Sequence, residues 1–386
     1  MNRRELLQLA ERVLRLPTAP YHEQRVKDFV TSFCRELPGV RVEDDRVGNV
    51  IAKHMGAPLR AQSARSRAEA RSRKAAPLVF VAHMDHPGFE MLSERRAEFL
   101  GGVPKEMFPN ARVRFYSYDG KRSACPTIVR AIVGRVDSRA WPKRKLVELQ
   151  TARRAMPTGP SRGNFGMWDV PAFRVSVGKL HAAAIDDVLG TVVMLATLAE
   201  VSRRRLRTRL WCAFTRAEEV GFHGAMALIR SKKIPQRALV VSIEMSKERP
   251  WARIGHGPIV RVGDWATIFD PAASAFLWRV AERCRRREPG FRAQRCLMDG
   301  GSCEATAFGA YGYRTGGVCL PLGNYHNIGR DRRPRAEYVN VRDLEQLVKL
   351  TVAAAEQWRD FGETTAILRR RLLGIARNAP RKLKKI

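Results

Sequence analysis

Three short apolar runs, at residues 77–82 (PLVFVA), 209–214 (RLWCAF) and 238–243 (ALVVSI), constrain the fold of this chain more than any other feature. Each is too short for an ordinary helix and shows no alternation with polar residues. Strands buried on both faces have this pattern. Helical patterns flank the runs at 3–16, 22–36, 188–204, 224–231, 271–287 and 342–358, and 40–53 reads as a hairpin. Strands alternating with helices predict an α/β protein, a sheet sandwiched by helices.

The segment 93–176 breaks that rhythm. Short alternating stretches at 112–118, 127–136, 144–149 and 172–178, with Asp119-Gly120 and several Pro and Gly between them, predict a small inserted all-β domain. The expected division is a first part of the α/β domain (1–92), the insert (93–176), a second α/β part (177–358) and a basic C-terminal tail (359–386). The Arg/Ser/Ala-rich stretch 57–76 has no apolar periodicity and reads as a mobile loop.

Several classes are set aside by composition. No stretch approaches the roughly 20 apolar residues of a membrane span, so no membrane partner is expected. The start, MNRRELLQLAERVL, lacks the pattern of a secretory signal, which points to a cytoplasmic location. The seven cysteines are irregularly spaced without a C-x-x-C pair, which argues against a disulfide framework or zinc ribbon. Lys plus Arg number 71 against 38 Asp plus Glu, a formal charge of +33. Such a field attracts nucleic acid. The basic residues are nevertheless scattered, apart from 60–74 and the final PRKLKKI, and neither cluster has the interleaved aromatics of a single-strand groove. Nucleic acid is not the expected partner.

Acidic and His residues fall just beyond the buried runs, and open α/β sheets bind ligands at the carboxyl ends of their strands. His83 and Asp85 follow the first run, as a polar loop or as a metal ligand with the carboxylate fixing its tautomer. Asp186-Asp187 leads into a helix near Val188. Asp caps helices; alternatively Asp186 bridges two cations while Asp187 supplies the cap. Glu218-Glu219 follows the second run, as a solvated pair or as a general base beside a ligand. Glu244 closes the third run, where a carboxylate is costly unless paired or coordinated. His326 lies in the loop CLPLGNYHNIGRD, as a ligand or an ordinary polar residue. Residues 299–302 (DGGS) lack the Lys and helix of a P-loop and read as a turn near the site. Together the two His and three carboxylates supply what two metals with one shared ligand need, with a further Glu left for proton transfer.

These motifs, in this order, resemble the co-catalytic metallo-aminopeptidases that include glutamyl, deblocking and tetrahedral aminopeptidases, within the clan of zinc exopeptidases. The likeness spans most of 1–358, through LRLPTAPYHEQRVKDFV, DRVGNVIAK, VAHMDHPGF, AIDDVLG, FTRAEEVGFHGA, IGHGPIVR and the final His loop. The resemblance implies a zinc-exopeptidase-like sandwich with a small β-barrel domain inserted after the HMD motif, and assembly into homo-oligomers. It implies that His83 and Glu244 bind one metal, Glu219 and His326 the other, and that Asp186 bridges them. Asp85 would orient His83, and Glu218 would be the general base. The sequence departs from the family where Glu244 replaces a usual Asp, where a Gly-Gly-Thr-Asp stretch becomes Gly300-Gly301-Ser302-Cys303, and where Gly323-Asn324 replaces an Arg-Tyr pair.

The expected function is hydrolysis of N-terminal residues from peptides by a dinuclear metallo-aminopeptidase. Two divalent ions, zinc by ligand type with cobalt or manganese as alternatives, would lower the pKa of a bridging water toward about 7. Glu218 would accept its proton. The same metal set serves carboxypeptidases, dipeptidases and deacylases. A basic nucleic-acid-binding or scaffold protein on a decayed peptidase fold is the alternative of a different class. The preferred N-terminal residue depends on folded loops and is not expressed in the sequence.

Overall fold

The computed structural model describes residues 1–56, 76–116, 128–140, 142–151 and 164–377. The loop expected at 57–76, save its last residue, and the tail from 378 onward lie outside the described residues. The chain opens with α1 (Arg3–Leu14), α2 (Gln24–Arg35) and the expected hairpin, β1 (Val40–Asp44) and β2 (Val50–His54). The first apolar run forms β3 (Leu78–His83). Six strands follow: β4 (Gly88–Ser93), β5 (Arg96–Leu100), β6 (Arg112–Tyr116), β7 (Ile128–Val136), β8 (Leu146–Thr151) and β9 (Phe165–Trp168). Next come β10 (Phe173–Ser176), β11 (Lys179–Ala182), α3 (Val188–Arg203), β12 (Leu210–Thr215), α4 (His223–Arg230) and β13 (Leu239–Lys247). The chain continues through β14 (Ile259–Gly263), α5 (Pro271–Arg287), β15 (Gln294–Leu297), α6 (Glu304–Ala310) and β16 (Arg314–Leu322). It closes with β17 (Glu337–Asn340), α7 (Val341–Glu356) and α8 (Glu363–Arg377).

The three apolar runs become neighbours in an eight-stranded mixed sheet, ordered β1-β2-β12-β3-β13-β16-β14-β15, with β12, β3, β13 and β16 parallel. Their double burial is visible residue by residue. Leu78, Phe80 and Ala82 pack into a cluster with α1, α3 and α7, whereas Val79 and Val81 face Leu228 of α4 and Phe308 of α6. Each Val, Leu or Phe side chain among them contributes roughly 1.5–3 kcal/mol on burial. Helix α3 is apolar all round because it lies between the sheet and the outer helices α1 and α7. Its Thr197 hydroxyl is satisfied by the Val193 carbonyl and by Thr351.

Strands β4 to β9 close into a six-stranded antiparallel barrel, ordered β4-β5-β8-β7-β6-β9. Phe89, Phe99, Phe108, Phe115 and Trp168 fill it, with edge-to-face contacts such as Phe89 on Trp168 at 4.8 Å between centroids. The insert is thus a barrel, as the resemblance implies. The stretch 172–178, read as part of it, does not join it: β10 pairs with β11, and β11 with β17, in a separate three-stranded sheet. A half-exposed strand carries no local mark of the sheet it joins, because β17, the strand that ties the β10–β11 hairpin into a sheet, is far along the chain. The described cysteines, Cys34, Cys212, Cys284, Cys296, Cys303 and Cys319, are free.

Candidate metal centre

Most residues singled out from the sequence lie at or near the carboxyl ends of the parallel strands, and Asp186 joins them from the segment between β11 and α3. His83 is the last residue of β3, and Asp85 stands two residues beyond it. Glu218 and Glu219 occupy the turn after β12, and His326 a short 3-10 segment after β16. Asp186 precedes α3, and Asp187 is its N-cap, accepting a hydrogen bond from the Gly190 N–H. A Cβ at position 190 would overlap the Asp187 carboxylate, so glycine is needed there. Glu244 does not close its strand, as the sequence suggested, because β13 runs on to Lys247 beside β16. Its pairing with β3 stops at Ser242, and Glu244 stands where the sheet opens.

The side chains converge. His83 Nε2 lies 3.8 Å from Glu218 Oε2 and 3.9 Å from Asp186 Oδ1. His326 Nε2 lies 3.2 Å from Glu219 Oε1 and 3.5 Å from Asp186 Oδ2. Asp186 therefore turns one oxygen toward each histidine. Ligand atoms of Asp186, Glu219 and His326 fall within 4.8 Å of one another. So do those of His83, Asp187 and Glu244, and those of His83, Glu218 and Glu219. Asp187 thus joins His83 and Glu244 in the group where the resemblance places Asp186.

Buried carboxylates hold the loops that carry these groups. Asp85 accepts hydrogen bonds from the N–H of Glu218 at 3.1 Å and of Glu219 at 3.2 Å. Its carboxylate is 3.6 Å from His83 Nδ1, while its own carbonyl lies closer, at 3.0 Å. Glu337 accepts from the N–H of Ile185 at 2.7 Å, of Asp186 at 3.0 Å and of His326 at 2.8 Å. Glu23 accepts from the Ala217 N–H and pairs with Arg216. Both ring nitrogens of His86 face oxygens, the Asp186 carbonyl and Asn327 Oδ1. The Gly102 carbonyl, just beyond β5 of the barrel, lies 2.8 Å from His326 Nδ1 and orients that ring. Sequence reasoning missed Glu23, His86, Gly102 and Glu337. The HMDH and PYHEQ stretches were the only local signals for any of them.

Crowded, buried negative charge dominates the electrostatics. Burial and nearby carboxylates push the Glu244 carboxyl up to about 8, and push those of Glu218 and Asp187 well above the usual range. Burial opposes charge on His83 and His326, but surrounding carboxylates outweigh it and hold both pKa values well above 6.5. Without cations the cluster relieves its charge by taking up protons, and divalent cations would relieve it instead. Two further observations fit metal ions. Asp186 Oδ1 and Glu219 Oε1 are buried and accept no hydrogen bond. The donor set, imidazole and carboxylate, suits zinc.

One wall of the adjoining cavity is formed by Glu244, Arg261, Gly300, Gly301, Ser302 and Tyr325, which places the 299–302 turn at the site as expected. Arg261 is only 3% exposed, yet no carboxylate among the described residues comes within ion-pair distance of it, and its Nε has no partner. Gly317 makes room for it, since a Cβ there would meet the Arg261 side chain at 3.2 Å and Phe269 at 2.9 Å.

A mixed sheet with an inserted barrel, and His and carboxylate groups gathered at its strand ends, defines an α/β metal-site protein of the zinc-exopeptidase fold. The sequence profile of the M42 glutamyl aminopeptidase family matches residues 66–350, and the chain belongs to that family. No curated protein matches it. Among solved structures it is similar to an aminopeptidase from the archaeon Desulfurococcus kamchatkensis, at 21% identity over 92% of this chain and 95% of that one, with a TM-score of 0.69. The TET1 peptidase of Pyrococcus horikoshii, which can assemble into a tetrahedron or a large octahedral shell, matches at 20% identity over 91% and 99%, with a TM-score of 0.68. An endoglucanase from Thermotoga maritima matches at 18% identity over 93% and 99%, with a TM-score of 0.60. Likeness at this level establishes a shared fold and leaves activity to be argued from the site.

Proposed function

We propose that this chain is a metal-dependent aminopeptidase that removes N-terminal residues from peptides. What carries the reading is Asp186, which turns one oxygen toward His83 and the other toward His326, itself beside Glu219, with Glu218 near His83. His83 and Glu244 would hold one ion, Glu219 and His326 a second, and Asp186 would be shared. Zinc suits the donors, and cobalt or manganese would serve in its place. Bound ions would supply an activated water and a Lewis acid for the scissile carbonyl. Glu218 would take the proton from that water and return it to the departing amine. Asp85 would keep Glu218 and Glu219 in register through their backbone N–H groups. Assembly into homo-oligomers belongs to the same reading, and light scattering of the purified protein tests it.

The experiment is hydrolysis of aminoacyl anilides with added zinc, cobalt or manganese, beside Glu218→Ala. Activity that needs metal, and falls about 10²- to 10⁴-fold in the variant while metal content is kept, is the expected result. Undiminished turnover in Glu218→Ala removes that residue from its role. Cleavage confined to N-acylated substrates moves the function to a deacylase of the same clan.

Arg261 supplies a preference. A buried guanidinium whose neighbouring carboxylates, Glu244 and Asp264, stay beyond ion-pair distance fits a substrate that brings its own carboxylate. Glutamyl and aspartyl anilides should therefore be favoured. Arg261→Met should lower kcat/KM for the glutamyl substrate about 10- to 100-fold and leave the leucyl substrate nearly unchanged. Equal losses on both would mean that Arg261 only supports the fold.

A further inference from the structure

We propose that α8 binds peripherally to the surface of an anionic lipid bilayer. From residue 367 to 376 this helix is exposed throughout, although it is rich in large aliphatic side chains. Leu368, Leu372 and Ile375, spaced i, i+4, i+7 on one face, are 55%, 55% and 61% exposed. At 100° per residue, Arg371 and Arg369 stand at the two borders of that stripe and Arg370 lies across the helix from it, with the exposed Leu373 between Arg369 and Arg370 and Ile367 beyond Arg371. An apolar stripe bordered by arginines is the pattern of a helix lying in a membrane interface.

Charge decides what covers the stripe. Between 363 and 386 the sequence carries Glu363 as its sole acidic residue, against Arg369 to Arg371, Arg377 and the four cations of RKLKKI. A second copy of the chain seated on this stripe would bring an identical cationic helix to the contact. Nucleic acid would satisfy the arginines but offers no apolar interior for the leucines. An anionic bilayer offers both, with lipid phosphate and carboxylate for the arginines and acyl chains for the stripe. Among the described residues no helix is long and apolar enough to cross a membrane. The sequence expectation of no membrane partner rests on that same lack of a span, which peripheral binding does not require.

The test is co-sedimentation of the full chain with vesicles of phosphatidylcholine, alone or mixed with phosphatidylglycerol. Its control is the triple variant Leu368→Ser, Leu372→Ser, Ile375→Ser, which changes no charge and no buried side chain. The wild type should pellet with the phosphatidylglycerol vesicles and not with pure phosphatidylcholine. The variant should partition at least about 10-fold less, with peptidase activity intact. Equal pelleting of the variant overturns the proposal, because generic attraction by the +33 charge would then suffice. So does a wild type that fails to pellet. A variant whose oligomer mass falls while pelleting is unchanged assigns the stripe to a second copy. Weakened binding of duplex DNA by the variant, with vesicle binding unchanged, assigns it to nucleic acid.

Discussion

The site is held in two ways. His83 and Glu244 are strand residues, positioned by the ladders of β3 and β13. Asp186, Glu219 and His326 sit in loops, where no ladder exists, and buried carboxylates take its place: Asp85 for the Glu218–Glu219 turn, Glu337 for Asp186 and His326. A strand position comes with its geometry. A loop position needs a partner from elsewhere in the chain, and Glu337 gathers backbone N–H groups from two separate loops. The loop-held half should therefore be the more fragile.

Glu337→Gln breaks this contrast if it is wrong. The amide keeps the side chain's shape but has a single acceptor oxygen, so some of the N–H groups of Ile185, Asp186 and His326 lose their partner. Zinc affinity should fall about 10- to 100-fold, mainly in the step that depends on Glu219 and His326. Competition against a chromophoric chelator resolves the two steps. Equal weakening of both would show that the halves do not differ in how they are held.

The same contrast separates what was legible in the sequence from what was not. The apolar runs, and the His and Glu residues that break their apolar character, could be read because burial is a local property, although the end of β13 was placed three residues too early. The Asp187 cap was legible for the same reason, since the helix begins with the next residue. Glu337 accepts from Ile185 across 152 positions, and Glu23 from Ala217 across 194. Nothing near Glu337 marks it as more than a polar residue in a short segment, and the PYHEQ stretch around Glu23 does not show what it would hold. The barrel shows the same limit, since strands such as β9 (FGMW) have no alternation to betray them, and 172–178 was assigned to the wrong sheet.

Proton uptake gives an intermediate effect. Burial raises the carboxyls of Glu337 and Glu304 to about 7 and that of Glu244 to about 8, from an ordinary value of 4.5. Raised carboxyl pKa values mean that the folded, metal-free protein binds more protons than the unfolded chain. Their contribution to stability is then fully present below about pH 4.5 and is lost as pH rises through about 7 to 8. Chelator-treated protein should show a falling Tm from pH 5 to 8.5, and added zinc should flatten the decline. Glu244→Gln should remove the part of the decline above pH 7 that belongs to the strand-held half. A Tm that rises with pH in the metal-free protein would refute the assignment.

Ser242→Ala tests the strand-held half alone and should have the smallest effect. Its hydroxyl donates to Glu244 Oε1 at 3.1 Å, and both residues are buried. Losing that bond costs about 1 kcal/mol, or roughly fivefold in metal affinity, because β13 still fixes the Glu244 backbone through its pairing with β16. The same titration used for Glu337→Gln reads the change, now in the step that depends on His83 and Glu244. A loss as large as that of Glu337→Gln would mean that Glu244 is positioned by its hydroxyl partner rather than by its strand, and the distinction between the halves would fall.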